Sequence, residues 1–268
     1  MRVVSVTIDY ARPDNFRIYP FGDMHLGTQH CAESKIREKV REIKEDKRNL
    51  WVDMGDSCEF ISPNDPRWDV GALAEWLNQS DDNIAIDEAD YYCEMLNPIK
   101  MQCIGKLKGN HEVAIHQHSH INVQKYICKK LGIEDLDYSA FIKFIFRRKN
   151  SKEAHIYKAF ITHGAGCAVT SGAKLQRLQR LMDNFDADII AQGHVHDIVT
   201  YTKPYLSLDS ADSIQQRVKV GATTGCWFRT YTQDVPSSYG EQKNYPPVMI
   251  GCPVFTINPD KGLLKVEG

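Results

Sequence analysis

The sequence predicts an α/β protein in which two packed sheets are flanked by helices. Short apolar or alternating runs recur along the chain, and helical-period stretches stand between them. Blocks that mix glycine with oxygen or imidazole donors follow directly on the ends of several of those runs. With 268 residues and 42% hydrophobic side chains there is material for one core-bearing domain spanning 1–268.

Taken in order, residues 2–8 and 17–21 read as strands, the second ending at the Gly22-Asp23 step. Residues 32–48 read as a helix, with Ile36, Val40 and Ile43 forming its apolar stripe and the charges between them a solvated face. Leu50-Trp51-Val52 is a buried strand delivering Gly55-Asp56, and residues 101–107 a strand delivering Asn110-His111. Residues 140–146 and 156–161 alternate as antiparallel neighbours joined by a polar turn at 147–153, with His163 just past the second. A helix over 174–185 turns Leu175, Leu178 and Leu181 inward, a strand at 188–191 precedes Gly193, and 218–220 and 253–257 complete the sheets.

Composition narrows the function classes. The formal net charge is −2, from 33 basic and 35 acidic side chains, so the chain as a whole has no attraction for a polyanion. Eight scattered cysteines without a CxxC pair predict reduced thiols and a cytoplasmic protein rather than a disulfide scaffold. No apolar run approaches the ~20 residues of a spanning helix, and the N-terminal run is too short for a signal peptide, so no membrane association is expected.

The chemistry lies in Asp23-Met24-His25, Gly55-Asp56, Gly109-Asn110-His111-Glu112, Thr162-His163-Gly164 and Gly193-His194-Val195-His196. Carboxylate, carboxamide and neutral imidazole suit manganese, iron or zinc. The one-residue gaps in Asp23-x-His25 and His194-x-His196 predict an extended or tight-loop backbone that turns both side chains to one face, and the adjoining glycines predict sharp turns.

The order D-x-H, G-D, G-N-H-E, a lone His, then G-H-x-H resembles the calcineurin-like metallophosphoesterase superfamily, over roughly residues 21–197. The resemblance implies a four-layer α/β/β/α sandwich of two mixed sheets, and two divalent metal ions, manganese foremost with iron, zinc or nickel as alternatives. It implies Asp23, His25, Asp56 and His196 on one ion, and Asp56, Asn110, His163 and His194 on the other, with Asp56 bridging. In such sites the ions sit ~3.5–4 Å apart and ready a water for in-line attack on phosphorus. His111 is then the general acid for the leaving oxygen, or a charge stabiliser.

Residues 61–100 stand out as an inserted helical cap, rich in Asp and Glu (Asp65, Asp69, Glu75, Asp81, Asp82, Asp87, Glu88, Asp90 and Glu94) against Arg67 and Lys100. Its Trp68, Trp76, Tyr91 and Tyr92 fit either a lid or homo-oligomer contact with aromatic packing, or a nucleobase-stacking rim. His116, His118 and His120 read as surface histidines; His30 and Cys58 as packing residues. Lys174, Arg177 and Arg180 recur at helical spacing as a solvated face or a phosphate-attracting edge, and Arg229 is a candidate substrate contact.

The expected function is hydrolysis of phosphodiesters of nucleotide or nucleic-acid type. The Asp23-Met24-His25-Leu26-Gly27 and Gly193–His196 blocks look like the phosphodiesterase and nuclease branches. Phosphomonoesterase and protein phosphatase are alternatives within the superfamily, the latter ranking lower because Gly55-Asp56-Ser57-Cys58-Glu59-Phe60 lacks that branch's arginine. A non-catalytic scaffold is the alternative from another class, although it has no need of a full donor set.

Overall fold

In the computed structural model two mixed sheets lie face to face, and the described residues are all of 1–268 except 62, 64, 66, 67, 78–82 and 210. Along the chain run β1 (Arg2–Tyr10), β2 (Phe16–Phe21), α1 (Glu33–Lys44), β3 (Asn49–Asp53), α2 (Ile84–Leu96) and β4 (Cys103–Lys106). Next come α3 (Asn110–Ser119), α4 (Val123–Leu131), β5 (Ser139–Arg148), β6 (Ala154–Thr162), α5 (Ser171–Asn184) and β7 (Ile189–Gln192). The chain finishes with β8 (Thr200–Leu208), β9 (Ile214–Thr223), α6 (Tyr239–Gln242), β10 (Val254–Asn258) and β11 (Leu263–Glu267). One sheet has the order β1-β5-β6-β7-β9-β8, the other β11-β10-β2-β3-β4.

Period-two side-chain alternation makes the layers. In β3, Leu50 and Val52 enter the apolar core between the sheets while Trp51 points to the helical side; in β7, Ile189 and Ala191 face the core between the sheets and Ile190 the other way. The outer face of the five-stranded sheet is covered by α1, α2 and α4 through Ile36, Val40, Ala89, Leu96 and Ile127, and that of the six-stranded sheet by α5 through Leu178 and Met182. Helix, sheet, sheet and helix therefore stack in four layers, the architecture expected.

Particular elements differ from expectation. The first helix is shorter, ending at Lys44, and keeps its buried stripe of Ile36, Val40 and Ile43. In α5 the fully buried stripe is Lys174, Leu178 and Met182, so the helix is rotated from the Leu175/Leu178/Leu181 reading because Lys174 turns inward to an acid, Asp197. The strand read at 101–107 is only Cys103–Lys106, preceded by a 3-10 turn at Asn97–Gln102. Strand β8 was not legible, since it carries Pro204 and alternates only between half-buried and exposed. Helix α2 buries Ala85, Glu88, Ala89, Tyr92, Cys93, Met95 and Leu96, seven of its 13 residues, and so shows little amphipathic signal.

Within residues 61–100, α2 is part of the helical layer, and Trp76 stacks on Tyr91 at 4.0 Å with both hydrogen-bonded to Glu33. Arg67, Asp81 and Asp82 lie outside the described residues.

Candidate metal centre

Every candidate donor follows the C-terminal end of a strand: Asp23 and His25 after β2, Asp56 after β3, Asn110 and His111 after β4, His163 after β6, His194 and His196 after β7. The β2–β3 pairing continues past the strands as loop pairing, with Asp23 N donating to Gly55 O (2.8 Å), Met24 N to Asp56 O (2.9 Å) and Leu26 N to Ser57 O (3.1 Å). In the other sheet Gly193 N donates to Thr162 O at 3.1 Å, tying the His163 and His194 loops together.

Of the two backbones that the one-residue gaps predicted, extended or tight loop, the tight loop is the one found. Asp23, His25, Asp56, His194 and His196 all have positive φ, at 49°, 50°, 50°, 70° and 48°. Left-handed turns, each costing a non-glycine residue about 1–2 kcal/mol, aim alternate side chains inward where a strand would have done so by pleating. The glycines divide by role. Gly55 takes φ 90°, whereas Gly109 has negative φ and is needed for space, because a Cβ there would sit 2.1 Å from Asp56 Oδ1.

The side chains form three groups, the ligand atoms of each within 4.8 Å of one another: Asp23, His25 and His196; His25, Glu59 and His111, which shares His25 with the first; and Asp56, His163 and His194, tied to the first where His194 N donates to Asp23 at 3.1 Å. His25 Nε2 faces His196 Nε2 at 3.0 Å, and His196 Nε2 is 3.5 Å from Asp23 Oδ1. His163 Nε2 stands 3.1 Å from Asn110 Oδ1 and 3.2 Å from Asp56 Oδ2. All seven predicted ligands are thus brought to one place, with Asn110 joined through His163.

This donor set fits cations. His163 Nδ1 lies 2.7 Å from Met54 O, a carbonyl that only accepts, so Nδ1 carries a proton and Nε2 is directed at two oxygens. Lone pair against oxygen is repulsive unless a proton or metal ion lies between. The Nε2 atoms of His25 and His196 pose the same problem, since at most one proton fits between them. His194 Nδ1 is buried without a hydrogen-bond partner.

Electrostatics agree. Burial opposes the charged form of His163, but Asp56 outweighs it and pushes the pKa up to about 10. Burial opposes it in His25 too, where Glu59, then Asp56 and Asp23, raise the pKa to about 9. Asp56 moves the opposite way: burial favours its neutral form, yet His163 and His111 hold it well below the ordinary carboxylate range. His194, beside a positive His163, is lowered by burial first and by that charge second. The carboxylates therefore attract positive charge to the imidazole nitrogens, which is the property a cation site requires.

His111 sits beside the donors, 6% exposed, with its backbone N–H donating to Asp56 Oδ1 at 2.9 Å. Its Nδ1 donates to the Glu59 carbonyl and lies 3.7 Å from the Glu59 carboxylate, which fixes the ring orientation and makes Nε2 the nitrogen through which a proton could pass. Glu59 also places Oε1 3.0 Å from His25 Nδ1.

Roles that sequence reasoning missed are played beneath the loops. Glu112 accepts N–H groups of Asp56 (3.0 Å), Ser57 (3.0 Å) and Gly109 (2.8 Å), clamping two donor loops together. Lys106, 0% exposed, lies 3.0 Å from Glu112 and 3.1 Å from Asp53, and Asp53 in turn accepts from Tyr92 and Gly55. In the sequence only Glu112, as the end of the Gly109–Glu112 block, and Asp53, a charge ending an apolar run, carried a signal of this.

The donors open on a cavity of about 670 Å³. The three basic residues of α5 separate there. Lys174 lines the cavity and pairs with Asp197 at 3.1 Å, Arg177 donates to the carbonyls of the 165–167 loop, and Arg180 is exposed. Arg229, the candidate substrate contact, donates to Cys31 O at 3.1 Å. His116, His118 and His120 are exposed, as expected of surface histidines.

No family model matches the sequence, and no curated protein matches it. Among solved structures the chain is similar to the NAD nucleotidase NadN of Haemophilus influenzae, with 11% identity and a TM-score of 0.41 over 95% of this chain. The match takes in 49% of that protein, so the chain spans about half its length.

Proposed function

We propose that this protein is a divalent-metal-dependent phosphoesterase that hydrolyses phosphodiesters of nucleotide or nucleic-acid type. The observation that carries the reading is the convergence of Asp23, His25, Asp56, Asn110, His163, His194 and His196, with imidazole Nε2 atoms turned on each other and on oxygens. Asp23, His25, Asp56 and His196 would hold one cation, and Asp56, Asn110, His163 and His194 a second. Divalent cations there supply Lewis acidity toward the phosphoryl oxygens and a nucleophile from water at neutral pH.

The chain's own residues complete the reaction. His111, oriented through Nδ1 by Glu59, delivers the Nε2 proton to the departing ester oxygen. Glu112 and Lys106 keep the Asp56 and Asn110 loops at a fixed separation, so that attack stays in line. Manganese-loaded protein assayed on bis-p-nitrophenyl phosphate, p-nitrophenyl phosphate and labelled single- and double-stranded DNA tests the reading. Faster turnover of the diesters supports it, and selective monoester hydrolysis counts against it.

A further inference from the structure

The cavity beyond the donors has a composition that the phosphoesterase reading does not use. Its volume, about 670 Å³, falls inside the ~300–1,000 Å³ of small-molecule sites. Among the described residues that line it, Lys174 is the one lysine or arginine, and its ammonium is already held by Asp197 at 3.1 Å. The acidic residues Asp56, Glu59, Asp69 and Glu88 line it as well. The aromatic rings of Trp68, Phe228, Tyr239 and Tyr245 share the rest of the wall with aliphatic and small polar side chains such as Leu73, Val248 and Ser238.

Phe228 adjoins the donors. Its ring centroid lies 5.4 Å from that of His25, 6.2 Å from that of His196 and 5.3 Å from that of the buried His30. The backbone holds it there, since Trp227 N donates to Asp23 O at 2.9 Å and Phe228 bridges to Cys31. A substituent on a phosphate at the donors would meet this ring.

Proteins that grip a nucleic-acid strand combine stacking aromatics with a groove of lysines and arginines that neutralises successive phosphates. Among the described residues this chamber has the first and lacks the second. Resting on the phosphoesterase reading, we propose that the chamber is a recognition subsite for an uncharged, ring-bearing group esterified to a single phosphate, with Phe228 as its specificity-determining wall. Polymeric nucleic acid is then not the substrate.

The test compares kcat/KM of manganese-loaded protein for thymidine 5'-(p-nitrophenyl phosphate) and methyl p-nitrophenyl phosphate, which share a leaving group and differ in the retained ester. A ten-residue oligothymidylate is the polymer arm. The expected ratio favours the thymidine ester by roughly tenfold, the size of one base–aromatic stacking contact. It falls toward one in Phe228→Ala and is retained in Phe228→Tyr. Equal rates on the two esters, or a preference for the oligonucleotide that collapses with added salt, would overturn the proposal. Should no ester turn over, the phosphoesterase reading fails, and the subsite is judged by calorimetry on metal-free protein. Tighter binding of thymidine 5'-monophosphate than of inorganic phosphate, lost in Phe228→Ala, supports it there; equal binding refutes it.

Discussion

Replacing Lys106 by methionine should destabilise the protein by about 3 kcal/mol and loosen the donor loops. The side chain is fully buried between Asp53 (3.1 Å) and Glu112 (3.0 Å), and it also donates to Ser57 Oγ. Removing one partner from a buried ion cluster typically costs about 3–5 kcal/mol, because the charge left behind has been taken out of water without compensation. The lower end applies here. Asp53 would keep the Gly55 N–H and the Tyr92 hydroxyl, and Glu112 would keep its three backbone N–H groups.

The loss should depend on pH with a definite sign. Burial already raises the Asp53 pKa, partly offset by Lys106, and without the ammonium the carboxyl holds its proton to higher pH still. A carboxyl whose pKa is raised by folding loses stability as pH rises from its unfolded value through its folded one, by about 1.4 kcal/mol for each pH unit between the two. The deficit of the variant should therefore be larger at pH 8 than at pH 5. Urea unfolding of metal-free protein at both pH values reads it, and a double-mutant cycle with Glu112→Gln isolates the pairwise part, expected at about 1–3 kcal/mol. A deficit below about 1 kcal/mol at pH 8, equal at both pH values, would refute the account of Lys106 as the cation that neutralises the cluster.

Metal affinity should rise with pH between about 6 and 9, since cations must displace the protons that Glu59 and Asp56 hold on His25 (about 9) and His163 (about 10). Calorimetric titration in two buffers of different ionisation enthalpy counts the protons released, and a count of zero would show those imidazoles to be neutral beforehand. The same raised pKa values stabilise the metal-free protein at low pH, with that contribution lost as pH rises through 9 to 10 and restored by added metal. Gly109→Ala should abolish metal binding, as its Cβ would fall 2.1 Å from Asp56 Oδ1 and 2.5 Å from Asp56 N, and retained stoichiometry by elemental analysis would show that the loops can part. His111→Ala should lower kcat by roughly 10²–10⁴ while leaving most metal bound, the split expected of a proton donor; loss of the metal would instead make it a ligand.

The donor blocks were legible because each is a contiguous pattern of residue types that have few structural uses together, and because each follows an apolar run whose end can be read. The strands that carry them were legible for the same reason, as in Leu50-Trp51-Val52, where alternation sorts the side chains between two cores. Residue type did not reveal the backbone. Nothing in His25 or His196 announces φ near 50°, a conformation imposed by the pairing of one loop with another.

Long-range neutralisation was equally hidden. Nothing marks Lys106 as buried within the strand read at 101–107, because a lysine is almost never fully buried unless paired, and its partners, Asp53 and Glu112, become visible as partners only once β3, β4 and α3 are side by side. Phe228 and His25 are in the same position, distant in sequence and 5.4 Å apart by ring centroid. What local pattern encodes here is the chemistry of the centre, since donors have to be of particular types wherever they occur. What it leaves out is how that centre is held and what it admits, because both depend on contacts between segments whose residues taken singly look ordinary. The experiments on Lys106 and Phe228 probe that second kind of information, and neither residue is itself a donor.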